Sequence, residues 1–145
     1  MRRFFKRNKP EPQQEGMVQL SGGTQATVLI VDDSPTETHI LKGILERGGY
    51  RVITAENGEV GLSVAAKSNP DLILMDVVMP GLNGFQATRQ LSQTPETADI
   101  PVIMVSTKGQ ETDRTWGMRQ GARDYVVKPV SAEELLEKIS VVLNV

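Results

Sequence analysis

Cysteine is absent from all 145 residues. A disulfide framework and a thiolate metal site are both excluded, and the chain fits a reducing compartment. No apolar run approaches the ~20 residues that span a bilayer. The N-terminus is basic, but no apolar stretch follows it that could serve as a secretory core. A cytoplasmic location is the default expectation. Histidine occurs once, at His39.

Positive charge is scarce in most of the chain. Residues 1–26 carry Arg2, Arg3, Lys6, Arg7 and Lys9 against Glu11 and Glu15, a net charge of +3. The remaining residues carry 11 basic and 16 acidic side chains, a net charge of −5. An acidic body argues against non-specific nucleic-acid binding, and no nucleic-acid partner is expected. The first 26 residues show no sustained periodicity and contain Pro10, Pro12, Gly16, Gly22 and Gly23. They are expected to form a flexible tail preceding one domain over 27–145. The stretch "RRFFKRNK" sets two aromatics among basic residues. Such a composition suits an anionic membrane surface or a partner, but a solvated tail is the preferred reading.

From Thr27 onward, short apolar runs alternate with segments of helical period. The runs are "TVLIV" (27–31), "YRVITA" (50–55), "DLILM" (71–75), "PVIMV" (101–105) and "DYVV" (124–127). Several are apolar without alternation, as strands covered on both faces are. The first helical segment starts with Ser34 as N-cap, Pro35 in the first turn and Glu37 completing a capping box. Its residues Ile40, Leu41, Ile44 and Leu45 share a face, and Gly48 and Gly49 stop it. Asn57 caps a second helix reaching about Ser68. A third runs from about Gly84 to Ser92, and a fourth from about Gln110 to Gln120. The last opens with a capping box of Ser131 and Glu134 and buries Leu135, Leu136, Ile139, Val142 and Leu143. Five βα units in a row imply a parallel sheet with helices on both faces. Ligands of such sheets sit outside the carboxyl ends of the strands.

The side chains at those ends are Asp32 and Asp33 after the first strand, Asp76 after the third, Ser106 after the fourth and Lys128 after the fifth. Two unit charges ~4 Å apart interact by about 4 kcal/mol at an effective dielectric near 20. Three clustered carboxylates therefore need relief, either from a proton or from a cation. Oxygen ligands without Cys or His suit Mg²⁺, and Lys128 offers a second positive charge to an anion on that metal. Taken singly, each residue has an ordinary reading. Asp32 and Asp33 can make a turn, Asp76 can be a turn acid, Ser106 a helix cap and Lys128 a solvated lysine. Taken jointly, those readings require four coincidences on one rim.

The segments "VLIVDDSP", "LILMDVVMPGLNG", "PVIMVS" and "DYVVKP" resemble the receiver domain of two-component response regulators, the CheY-like fold, over residues 27–145. The resemblance implies an α/β, flavodoxin-like (βα)5 fold. Its doubly wound, five-stranded parallel sheet would have the order 2-1-3-4-5. It also implies Asp76 as phospho-acceptor. Asp33, Asp76 and the backbone carbonyl of Val78 would ligate Mg²⁺, with Asp32 acting largely through water. Lys128 would pair with the phosphoryl oxygens. Ser106 would bond the phosphoryl group and Tyr125 would follow it by turning inward. The Lys128–Pro129 peptide would be cis. Ser106 stands where many members have threonine and keeps the hydroxyl. "PGLNGFQATRQL", "PETADIPVIMVSTKGQETD" and "WGMRQGARDYVVKPV" are most similar to a stand-alone receiver of chemosensory systems that control type IV pilus twitching. The implied partners are a histidine kinase of the chemosensory type and a downstream protein reached through helix four, strand five and helix five. No output domain is expected after helix five.

Other classes fit less well. A Mg²⁺-dependent phosphatase with an aspartyl-phosphate intermediate needs a second acid two residues after the nucleophile, where this chain has Val78. A flavin carrier on this fold would set its phosphate against Asp32 and Asp33. A non-phosphorylated receiver-like scaffold would have no use for the complete acidic set. His39 is expected on or near the surface of the first helix. Trp116 reads equally as a partner anchor or as packing. The scattered methionines read as gap-fillers, with Met79 alone near the site.

Overall fold

The computed structural model describes residues 25–144. The tail expected over residues 1–26 lies, except for its last two residues, outside them. The chain alternates strand and helix throughout: β1 (Thr27–Val31), α1 (Pro35–Arg47), β2 (Arg51–Ala55), α2 (Gly58–Ser68), β3 (Leu72–Met75), α3 (Gly84–Gln93), β4 (Val102–Ser106), α4 (Glu111–Arg119), β5 (Asp124–Val127) and α5 (Ala132–Leu143). All strand pairs are parallel, in the order β2-β1-β3-β4-β5. This is the flavodoxin-like (βα)5 sheet, with the order 2-1-3-4-5 that the motifs imply.

Successive strand residues point to opposite faces, so each continuous apolar run feeds two cores. Leu29, Val31, Ile73, Met75, Met104 and Tyr125 pack on one side with Ala65 of α2 and Ala87 and Leu91 of α3. Val28, Ile30, Leu72, Leu74, Ile103, Val105 and Val126 pack on the other with Leu41, Ile44 and Leu45 of α1 and Leu135 and Ile139 of α5. α4 lies on the first side. A Cβ on its Gly117 would meet Met104 Sδ at 2.9 Å and the Tyr125 ring at 3.3 Å.

Helix starts follow side-chain chemistry. Ser34, Asn57, Asn83 and Ser131 each accept a backbone N–H three residues on, which satisfies a donor the helix itself cannot. α1 ends at Gly48, and Gly49 follows with φ +93°. α4 ends before Gly121 with φ +113°.

Four expectations need correction. The capping box at Ser131 is half made: Glu134 N–H donates to Ser131 Oγ at 3.3 Å, without the return bond from the Glu134 side chain. Ile40 is 46% exposed, although its spacing places it beside Leu41 and Ile44. It sits at the edge of the helical stripe, beyond the reach of the sheet. Leu136, Val142 and Leu143 are half-buried; α5 is an outer helix, and only Leu135 and Ile139 face straight into the core. The capping box at Ser34 is half made. Glu37 N–H donates to Ser34 Oγ at 3.2 Å, but the Ser34 N–H donates to Asp32 Oδ1 at 2.9 Å. The Glu37 carboxylate turns elsewhere.

Candidate functional site

The site residues leave the sheet where its ladder ends. Asp32 N–H donates to the Ala55 carbonyl at 3.1 Å and Asp76 N–H to the Val31 carbonyl at 2.9 Å. Lys128 N–H donates to the Ser106 carbonyl at 2.8 Å. These bonds carry the parallel pairing one step past β1, β3 and β5 and fix three backbone positions along a single rim. β1 and β3 are neighbours, and from them the sheet extends in opposite directions. Asp32 and Asp76 thus flank the crevice where an open α/β sheet binds its ligand.

Asp32, Asp33 and Asp76 each place a carboxylate oxygen within 4.8 Å of the others. Among the described residues, no other group of three acids, histidines or cysteines meets in this way. Asp32 and Asp76 are buried and Asp33 is exposed. Both Asp32 oxygens are engaged: Oδ1 accepts from Ser34 N–H, and Oδ2 accepts from Lys128 Nζ at 3.0 Å. Lys128 Nζ also lies 3.7 Å from Asp76 Oδ1 and 3.8 Å from Glu37 Oε1. The Lys128 side chain is only 10% exposed. The reading of Lys128 as an ordinary solvated lysine is therefore excluded.

The electrostatics follow from this crowding. Burial and then the Asp32 charge push the Asp76 carboxyl up to about 6. Lys128 and the Val77 N–H, which donates to Asp76 Oδ1 at 2.9 Å, offset only part of that rise. Burial opposes the charge on Lys128, but the bond to Asp32 and the charges of Asp76, Asp32 and Glu37 outweigh it and raise its pKa. One cation serves three acids, so the site carries an uncompensated negative charge. Hard oxygen donors this close together, without nitrogen or sulfur, match a small divalent cation such as Mg²⁺.

Ser106 is fully buried at the end of β4, and its Oγ accepts from Lys108 N–H at 3.2 Å. Tyr125 is buried, with its ring turned inward. Its hydroxyl donates to the Lys108 carbonyl at 2.5 Å. The Arg114 guanidinium lies 5.6 Å from the Tyr125 ring centroid and donates through Nη1 to the Tyr125 carbonyl at 3.4 Å. The Lys128–Pro129 peptide is cis. Val78 lies in the β3–α3 loop and is 59% exposed. His39 is exposed on α1, away from these contacts.

Four residues of the site escape the motif reading. Glu37 looks like half of a capping box. Lys108 contributes only its peptide. Glu59 Oε2 accepts from Leu82 N–H at 3.3 Å and ties the β3–α3 loop to α2. Gly84 approaches the chain so closely that a Cβ there would lie 1.9 Å from the Asp76 carbonyl oxygen. Of these only Gly84 leaves a sequence signal, a glycine after an Asn cap.

Sequence comparison agrees with this geometry. Residues 28–140 match the family model described as the response regulator receiver domain, and the chain belongs to that family. Its similarity to Protein PilH of Pseudomonas aeruginosa is 60% identity over 118 residues, covering 81% of this chain and 98% of that protein. It is 39% identical to the phosphate regulon transcriptional regulatory protein PhoB of the same organism over 118 residues, where it spans about half (52%) of the relative. Among solved structures, chemotaxis protein CheY4 of Vibrio cholerae superposes with a TM-score of 0.77 at 32% identity, covering 82% of this chain and 99% of that one. The receiver domain of a Pseudomonas aeruginosa sensor histidine kinase superposes at 0.78 and 27% identity, covering 84% and 100%. That domain was crystallised with a magnesium ion coordinated in its active-site cleft.

Proposed function

We propose that this receiver accepts a phosphoryl group on Asp76 from a histidine kinase of the chemosensory type, as a single-domain response regulator. An Asp76 carboxylate oxygen attacks phosphorus. The new O–P bond forms as the donor's P–N bond breaks, and the leaving imidazole keeps the electron pair. Mg²⁺ would be held by Asp33, Asp76 and the Val78 carbonyl, with Asp32 acting through water, and would supply charge neutralisation on the transferring group. Asp32 suits the indirect role because both of its oxygens are already bonded. Lys128 is placed to follow the phosphoryl oxygens, being 3.7 Å from Asp76 Oδ1. Ser106 and Tyr125 relay the change through the backbone of Lys108 to the surface of α4, β5 and α5, where a downstream protein binds. The chain acts as a phospho-acceptor and not as a turnover phosphatase, since Val78 offers no general acid two residues after Asp76.

The observation that carries this reading is the shared ammonium of Lys128 among acids on adjacent strand ends. The likeness to PilH supports a role in type IV pilus-based motility and a cytoplasmic setting. No helix among the described residues is long and apolar enough to cross a membrane. Residues 1–26 are read as a separate basic tail ahead of the receiver.

The test is phosphotransfer from purified chemosensory kinases and from acetyl phosphate to the full chain and to Asp76→Asn. Label is expected on the parent only and only with Mg²⁺. Equal label on Asp76→Asn would refute the acceptor assignment. Deletion and complementation scored by twitching zones tests the motility link.

A further inference from the structure

Glu37 sits where the helix-start pattern would fold it back onto Ser34. The Ser34 N–H is instead taken by Asp32 Oδ1, and Glu37 Oε1 lies 3.8 Å from Lys128 Nζ. The Glu37 side chain is 40% exposed, whereas those of Asp32 and Lys128 are almost wholly covered. Glu37 is therefore the outermost acid around that ammonium, at the mouth of the site. Its contribution to the helix cap runs through its backbone N–H and does not need the carboxylate.

A phosphoryl group arriving at Asp76 meets two consequences of this placement. It competes with Glu37 for Lys128, and it brings negative charge toward a fixed negative charge. We propose that Glu37 is a positioning residue that holds Lys128 in the unphosphorylated state and selects against small dianionic phosphodonors. A phosphohistidine delivered by a docked protein brings binding energy of its own, so the same repulsion disfavours it less. Glu37 thus biases the site toward protein donors. The inference rests on Asp76 as the acceptor.

The experiment compares the full chain with Glu37→Gln and Glu37→Lys at saturating Mg²⁺ and neutral pH. The donors are dianionic acetyl phosphate and monoanionic phosphoramidate. Glu37→Gln is expected to speed labelling by acetyl phosphate about threefold to fivefold at low salt. The gain should be smaller with phosphoramidate, larger in Glu37→Lys, and mostly lost at high salt. Calorimetry should show beryllofluoride, a singly charged phosphoryl mimic, binding Glu37→Gln more tightly, by a smaller factor than the gain with acetyl phosphate. A purely structural role would move both donors equally and independently of salt, and that result overturns the proposal. So does an unchanged beryllofluoride affinity in a parent chain that labels normally. A parent that neither labels nor binds beryllofluoride overturns the acceptor reading, and the Glu37 inference falls with it.

Discussion

Lys128 and Asp32, 96 residues apart in sequence, form an ion pair at 3.0 Å that joins the ends of β5 and β1. The Asp32 side chain is 2% exposed, so removing its cation leaves a buried charge unpaired. Lys128→Met is expected to cost about 3 kcal/mol of stability at pH 7.5 in chelator. The raised pKa of Lys128 means its contribution is complete below 10.5 and is lost only as alkaline pH passes the folded value. Adding Mg²⁺ should narrow the gap, because a divalent cation on the same acids replaces the lost charge. Lys138→Met is the control. Its 3.2 Å bridge to Asp124 is about 30% exposed on both sides, and it should cost less than about 1 kcal/mol. Urea titrations measure both; equal losses would remove the special place given to Lys128.

Asp76 imposes a pH dependence of definite sign. Its carboxyl is raised from 3.8 to about 6 on folding, mainly by burial. Below 3.8 both folded and unfolded chains hold the proton, and the group contributes nothing. As pH rises from 3.8 to about 6 the unfolded chain loses its proton more readily, and the folded state loses about 3 kcal/mol. Above that the deficit is constant. In chelator, Asp76→Asn should therefore be more stable than the parent at pH 7.5 by about 2–3 kcal/mol. The two should converge near pH 4. A less stable Asn variant at pH 7.5 would contradict the crowding on which the site depends.

Gly84 opens α3 against the backbone of Asp76. A Cβ there would lie 1.9 Å from the Asp76 carbonyl oxygen and 2.8 Å from Val77 Cα, none of which can rotate aside. Gly84→Ala should destabilise by about 2 kcal/mol or more, although alanine favours a helix by about 1 kcal/mol. It should also weaken Mg²⁺ binding by displacing Asp76. Gly43→Ala is the contrast, since its Cβ would meet only the mobile Arg47 guanidinium at 3.2 Å. That variant should be neutral or slightly stabilised in thermal melts.

The sheet is legible in the sequence for a physical reason. A parallel strand covered on both faces must be apolar at every position, so "VLIV" and "LILM" stand out from their flanks. The acids ending those runs lie where the ladder stops, which made Asp32, Asp33 and Asp76 visible together. The destinations of side chains were not visible. Glu37 three residues after Ser34 promises a capping box, but a nearer acceptor, Asp32, took the Ser34 N–H. Ile40 has the spacing of a core residue, yet periodicity gives the direction of a face and not the width that the sheet covers. The contact of Tyr125 with Lys108 runs through a carbonyl that every residue possesses.

The backbone of Lys108 is held on both sides of its Cα by the two residues assigned to the switch. Its N–H donates to Ser106 Oγ at 3.2 Å, and its carbonyl accepts from the Tyr125 hydroxyl at 2.5 Å. The two groups belong to successive peptide units joined at the Lys108 Cα, so each bond restrains the backbone rotations that place the other, and the two should not act independently. Ser106→Ala and Tyr125→Phe are each expected to cost about 0.5–1.5 kcal/mol. The double variant should fall short of their sum by about 0.5–1 kcal/mol. Amide exchange at Lys108 should quicken in Tyr125→Phe, although its N–H bond to Ser106 is chemically untouched. Beryllofluoride with Mg²⁺ should quicken the same amide in the parent, as the Ser106 hydroxyl leaves Lys108 for the phosphoryl mimic. In Ser106→Ala, where that amide is already free, the ligand should add nothing. Additive costs, together with exchange at Lys108 that ignores both Tyr125→Phe and the ligand, would show that Ser106 and Tyr125 do not communicate through the Lys108 backbone.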